Sequence, residues 1–87
     1  MSAVDFTRHA KDKFDVLKRR GFVVAVDQVE QAVLHPDKVI PQPGGRFIAQ
    51  KRITEHHVLR VVYRQEGDTS VVITFYPGRR ERYETPL

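Results

Sequence analysis

Two runs of sequence decide the fold: His57-Val58-Leu59-Arg60-Val61-Val62-Tyr63-Arg64-Gln65 and Thr69-Ser70-Val71-Val72-Ile73-Thr74-Phe75-Tyr76, separated by Glu66-Gly67-Asp68. Both are rich in β-branched and aromatic residues, and the short glycine-containing segment between them predicts an antiparallel hairpin. Working backwards, Arg46 to Ile53 alternates as another strand, with Thr54-Glu55-His56 as its turn. Gly44-Gly45 forms an earlier turn. Lys38 to Pro41 is a short strand whose flanking prolines place it at a sheet edge. Short turns make these strands antiparallel neighbours in a meander.

Before residue 38 the apolar period is that of a helix. Phe6 to Arg20 predicts one, with Thr7 or Asp5 as N-cap and Ala10, Phe14 and Leu17 as its buried stripe. Lys18, Arg19 and Arg20 suit the helix C-terminus, and Gly21 supplies a left-handed cap. Phe22 to Ala25 is a connector or part of the core. Asp27 and Glu30 approximate a capping box for a second helix with Val29, Ala32 and Val33 buried, which ends at His35-Pro36. The expected architecture is α+β, one domain over residues 1–87. Two N-terminal helices pack on one face of a three- to four-stranded antiparallel sheet.

Side chains alternate across a strand, so parity sorts the sheet into faces. Leu59, Val61 and Tyr63 share a face with Phe47, Ala49 and Ile53, and by the same count with Val71, Ile73 and Phe75. That is the natural helix side. The opposite face takes Arg46, Ile48, Gln50 and Arg52, then Val58, Arg60, Val62 and Arg64, then Val72, Thr74 and Tyr76. Beyond it come Pro77-Gly78, read as a turn, and the basic cluster Arg79-Arg80-Glu81-Arg82-Tyr83, read as an extension of this face.

The chain has 15 Lys and Arg against 11 Asp and Glu, a formal charge of +4. Residues 1–45 hold seven basic and six acidic side chains, and residues 46–87 hold eight and five, so most of the excess lies in the second half. Arginine dominates there, and its planar fork of donors suits phosphate. Arg46, Arg52, Arg64, Arg79, Arg80 and Arg82, with Tyr76 and Tyr83 to stack on bases, are candidate nucleic-acid contacts. An antiparallel sheet also commonly keeps one face wet, and arginine is at home there. Cysteine is absent, which excludes disulfides, thiolate metal sites and a cysteine nucleophile, and fits a cytoplasmic location. No long apolar run marks a signal peptide or membrane span.

Four histidines are available to carry protons. His9 lies in the first turn of the first helix. His56 and His57 are adjacent, would point to opposite faces of a strand, and so do not chelate one ion. No histidine pair or carboxylate cluster has ligand spacing, and Pro43-Gly44-Gly45 leads into a strand rather than a helix. No metal or cofactor is expected. The remaining chemistry is metal-free phosphodiester cleavage, in which RNA supplies its own 2′-hydroxyl nucleophile and the protein supplies a base or acid and fixed cations.

Phe6-Thr7-Arg8-His9-Ala10, the helix end Lys18-Arg19-Arg20-Gly21, the helix Val29 to Leu34 followed by Pro36, and the strands Leu59-Arg60-Val61-Val62-Tyr63 and Val72-Ile73-Thr74-Phe75-Tyr76-Pro77 carry a resemblance over nearly the whole chain. It resembles an uncharacterised domain-of-unknown-function family related to the RelE/ParE-like toxins and the wider barnase–EndoU–colicin–RelE fold group. That resemblance implies a RelE-like fold and a toxin-type, metal-independent endoribonuclease. RNA or the ribosome would be its target and an acidic antitoxin its protein partner. It further implies His9, Arg60 and Thr74 as catalytic positions. ParE-type relatives act on gyrase instead. Beside the nuclease stand two other readings: a non-catalytic binding module for nucleic acid or protein using the same basic face, and a structural domain whose charges serve solubility.

Overall fold

A computed structural model describes residues 3–84. The expected α+β class holds, with more strands than the sequence predicts. Among the described residues the order is β1 (Ala3–Phe6), α1 (Arg8–Arg19), α2 (Val26–Leu34), β2 (Lys38–Gln42), β3 (Arg46–Arg52), β4 (His57–Glu66), β5 (Thr69–Arg79) and α3 (Arg80–Tyr83). The five strands form one mixed sheet in the order β1-β5-β4-β3-β2. The meander from β2 to β5 is antiparallel, as the short turns require, and β1 adds a parallel edge to β5. The predicted all-antiparallel sheet of three or four strands is therefore corrected to five mixed strands. β1 escapes sequence reading because it is short and runs straight into the helix.

Thr7 makes that joint. Its backbone N–H bonds to the Val72 carbonyl at 3.0 Å, its hydroxyl donates to the Ile73 carbonyl at 3.2 Å, and the same oxygen accepts from Ala10 N. One residue thus ends the strand, caps the helix and ties both to β5. At the other end of α1, Phe22 N bonds to Leu17 O and Gly21 N to Lys18 O, with Gly21 at φ 86°. This is a Schellman cap, and the positive φ explains the glycine. α2 starts earlier than predicted: Ala25 is the N-cap, and its N–H donates to the Gln28 side chain at 2.9 Å. Asp27 and Glu30 sit inside the helix instead.

Ala10, Leu17, Val29, Ala32 and Val33 from α1 and α2 meet Ala49, Leu59, Val61, Tyr63, Val72 and Phe75 from the sheet in one core cluster. Phe14 links them, its ring 5.9 Å from Phe6 and 4.6 Å from Phe75. Val72 in this list breaks simple parity. Val62 pairs with Thr74 but Tyr63 pairs with Val72, so Ile73 is an extra residue in a β-bulge. Across the bulge the alternation slips by one. Val72 and Phe75 both enter the core, fully buried, while Val71 goes to the other face. Of the predicted core trio Val71, Ile73 and Phe75, Phe75 holds, while Val72 takes the place of Val71 and Ile73. Pro77-Gly78 is not a turn either: β5 continues through them, Leu59 opposite Pro77 and His57 opposite Arg79. β1 pairs only with Thr69 to Val72, so Pro77 stands where β5 has become an edge and its missing N–H removes no ladder bond.

Candidate nucleic-acid interface

The register sets out the face away from α1 and α2 as rows running across the strands. The first is Gln42, Arg46, Arg64, Val71 and Asp5. The second is Ile40, Ile48, Val62 and Thr74, an apolar band. The third is Lys38, Gln50, Arg60 and Tyr76. The fourth is Arg52, Val58 and Gly78. Parity on β3 and β4 therefore places Arg46, Arg52, Arg60 and Arg64 together on this face. On β5, Thr74 and Tyr76 lie on it opposite Val62 and Arg60, as parity predicts, and the bulge reassigns only the residues before them.

Arg60 is the centre of the third row. Its Nη1 donates to the Tyr76 hydroxyl at 2.9 Å. Its guanidinium carbon lies 5.7 Å from the Tyr76 ring centre and 4.3 Å from that of Tyr83, a cation–π arrangement with two tyrosines. Tyr83 comes from α3. The basic cluster is thus not a tail extending the face but a single helical turn folded back over it. Gly78 permits this seat, because a Cβ there would stand 2.3 Å from the Tyr83 ring. The Tyr83 carbonyl accepts from Gln50 Nε2 at 3.3 Å and Lys38 Nζ at 3.4 Å. Arg80 bonds through Nε to the Glu84 carboxylate and through Nη1 to the Glu55 carbonyl at 2.6 Å. Arg52 Nε approaches the same Glu84 carboxylate at 3.9 Å.

Among the described residues, two polar atoms under the cover are buried without a hydrogen-bond partner, Gln50 Oε1 and Arg60 Nε. They belong to residues directly opposite each other on β3 and β4. Gln50 is only 3% exposed. Buried polar atoms are nearly always paired, and an orphan costs about 1–3 kcal/mol. Both lie under the cover, on neighbouring strands, where a ligand group could reach them.

The other expected contacts are more dispersed. Arg46 and Arg64 lie directly opposite each other, both exposed, with Arg64 also bonded to Glu66. Arg79 is exposed and 4.0 Å from Glu81. Arg82 is exposed, its guanidinium 5.5 Å from the Tyr83 ring. Thr74 is half-buried opposite Val62. His9 is exposed on α1, in the layer on the other side of the sheet, so Arg60 and Thr74 share a face that His9 does not. Among the described residues no group of three or more His, Asp or Glu is placed to hold a metal ion, and no helix is long and apolar enough to cross a membrane.

Sequence reasoning missed Gln50 as a site residue, together with Lys38 and Glu84. Parity placed Gln50 on this face, but nothing local signals its burial, because the cover arrives from the far end of the described chain. No family model matches the chain, and no curated protein or solved structure matches it.

Proposed function

We propose that this protein binds single-stranded nucleic acid, RNA in the first instance, on the open face of its sheet. The observation that carries the reading is Arg60, held at the centre of that face between Tyr76 and Tyr83, with Arg46, Arg52, Arg64 and Lys38 around it. Fixed guanidinium groups track phosphates, and flat groups on a sheet accept splayed bases. A sheet face offers no helix to enter a duplex groove but suits unpaired bases, as RNA-binding sheets do. The toxin-type endoribonuclease implied by the resemblance would use the same arginines against charge developing on phosphate. It would also need a proton carrier within hydrogen-bond reach of the 2′-hydroxyl. His9, on the helix side, is not beside Arg60, so the geometry supports binding ahead of cleavage.

The test is direct. Purified protein is titrated against labelled single-stranded RNA at several salt concentrations, with a chelator present. Single strands lose affinity with a log–log slope of about −0.7 per phosphate contact, so four arginines predict about −3. A flat salt response, or no binding, overturns the reading. Shortened RNA in the chelated samples would instead establish metal-independent cleavage.

A further inference from the structure

Resting on that reading, we infer that Tyr83 and Glu84 fill a nucleotide subsite on the open face, and that RNA binds there by displacing them. The two residues present, in one place, three groups that the base and phosphate of a nucleotide also offer. A flat ring stacks on the Arg60 guanidinium at 4.3 Å. A carbonyl accepts from Gln50 and Lys38. A carboxylate lies 3.9 Å from Arg52 and is held by Arg80. A base, its ring carbonyl or ring nitrogen, and a phosphate would take these three positions.

The fit to the internal occupant is incomplete, and the defect points to the ligand. Gln50 donates to the Tyr83 carbonyl, while its buried oxygen has no hydrogen-bond partner among the described residues. A peptide carbonyl offers an acceptor only. A base edge offers an acceptor beside an N–H donor and would satisfy both ends of the amide. The occupant is also built to leave. α3 is one turn long and none of its residues is buried. Its hold is a ring contact and a few polar bonds, one to the buried Gln50 and the rest to exposed or half-buried groups. The subsite is thus a single-nucleotide pocket with a stand-in supplied by the chain itself.

The test uses the whole chain and a labelled oligouridylate. The population of the open state limits apparent affinity, so weakening the stand-in raises it. Glu84→Gln, which removes the partly exposed ion pairs with Arg80 and Arg52, is expected to bind about threefold tighter. Tyr83→Ala is expected to gain more, and a melt checks that it folds. In wild type, RNA should speed hydrogen exchange at Glu84 N–H, which is bonded to the Arg80 carbonyl in the closed form. RNA binding by wild type with no gain in Glu84→Gln and slower exchange in α3 overturns the subsite but leaves the basic face as a binding surface. Weaker binding by Tyr83→Ala alone makes Tyr83 a contact, and likewise overturns displacement. No binding by any of the three overturns both readings.

Discussion

The two faces of this sheet are made by alternate residues of the same strands, yet they are buried in different ways. On one side Ala49, Leu59, Val61, Val72 and Phe75 are sealed by two amphipathic helices, apolar against apolar. On the other, Gln50 and Val58 are as dry, at 3% and 0% exposure, but the cover includes a four-residue helix held by Arg60, Gln50, Lys38 and Arg52. Apolar packing contributes through area and shape, and is costly to undo. Hydrogen bonds and ion pairs at a part-exposed surface each contribute little net, about 0.5–1.5 kcal/mol or less. The first face fixes the fold, whereas the second is closed by contacts that are each cheap to replace, as the proposed displacement requires.

The comparison breaks first at Phe75. Phe75→Ala leaves a cavity under Phe14 in the centre of the helix side and is expected to cost about 3–5 kcal/mol. For a domain of this size each kcal/mol shifts the melting temperature by about 4–8 °C. A melt of Phe75→Ala within a few degrees of wild type would mean that the helix side is not what holds the fold.

Arg60→Met keeps most of the volume and removes the charge. RNA affinity is expected to fall about tenfold, the equivalent of roughly 1.4 kcal/mol, with the salt slope reduced by about 0.7. Stability should change by less than about 1 kcal/mol, because the variant also removes a buried Nε that has no partner. Equal losses of stability and affinity would make Arg60 a packing residue, and the two faces would no longer differ in kind.

Much of the helix side was legible in the sequence. Ala10, Val29, Leu59, Val61 and Phe75 follow from local periodicity, since each element carries its own stripe. The slip at Ile73 was not, because nothing in Val71-Val72-Ile73-Thr74 distinguishes a bulge from continued alternation. The bulge goes with a distant contact: the Thr7 hydroxyl, sixty-six residues away, donates to the Ile73 carbonyl. The same distance effect hid the site. Arg60, Arg46 and Tyr76 were recoverable as a face, but Arg79 to Tyr83 read as an open extension of it. Only the fold shows Tyr83 lying on Arg60 through the gap left by Gly78.

Gly78→Ala sharpens that last point with a smaller change. The added methyl occupies the Tyr83 seat, so the ring must leave while β5 keeps its register. The expected cost is about 1 kcal/mol, in line with the loss of a few surface contacts. Denaturant dependence should be unchanged, since the surface exposed on unfolding is set by the core. Faster hydrogen exchange confined to Glu84 and its neighbours would confirm that α3 opens on its own. Loss of protection across β4 and β5 would show the two sides to be one cooperative unit.

The smallest effect belongs to Tyr63, among the described residues the one member of the core cluster that can ionise. It stacks on Phe47 at 5.5 Å and is 9% exposed, and its burial pushes the phenol above its ordinary value of 10.0. Desolvation disfavours the phenolate in the folded chain, so the unfolded chain ionises first as pH rises. The stability involved is fully present below about pH 10 and is lost progressively from there up to the raised folded value. Tyr63→Phe abolishes this titration. Urea melts of wild type and variant should therefore run parallel through neutral pH and diverge only above about pH 10, with wild type falling faster. Parallel curves to the alkaline limit would mean that Tyr63 reaches water in the folded state, and that the helix side is wetter at its β3–β4 end than its packing implies.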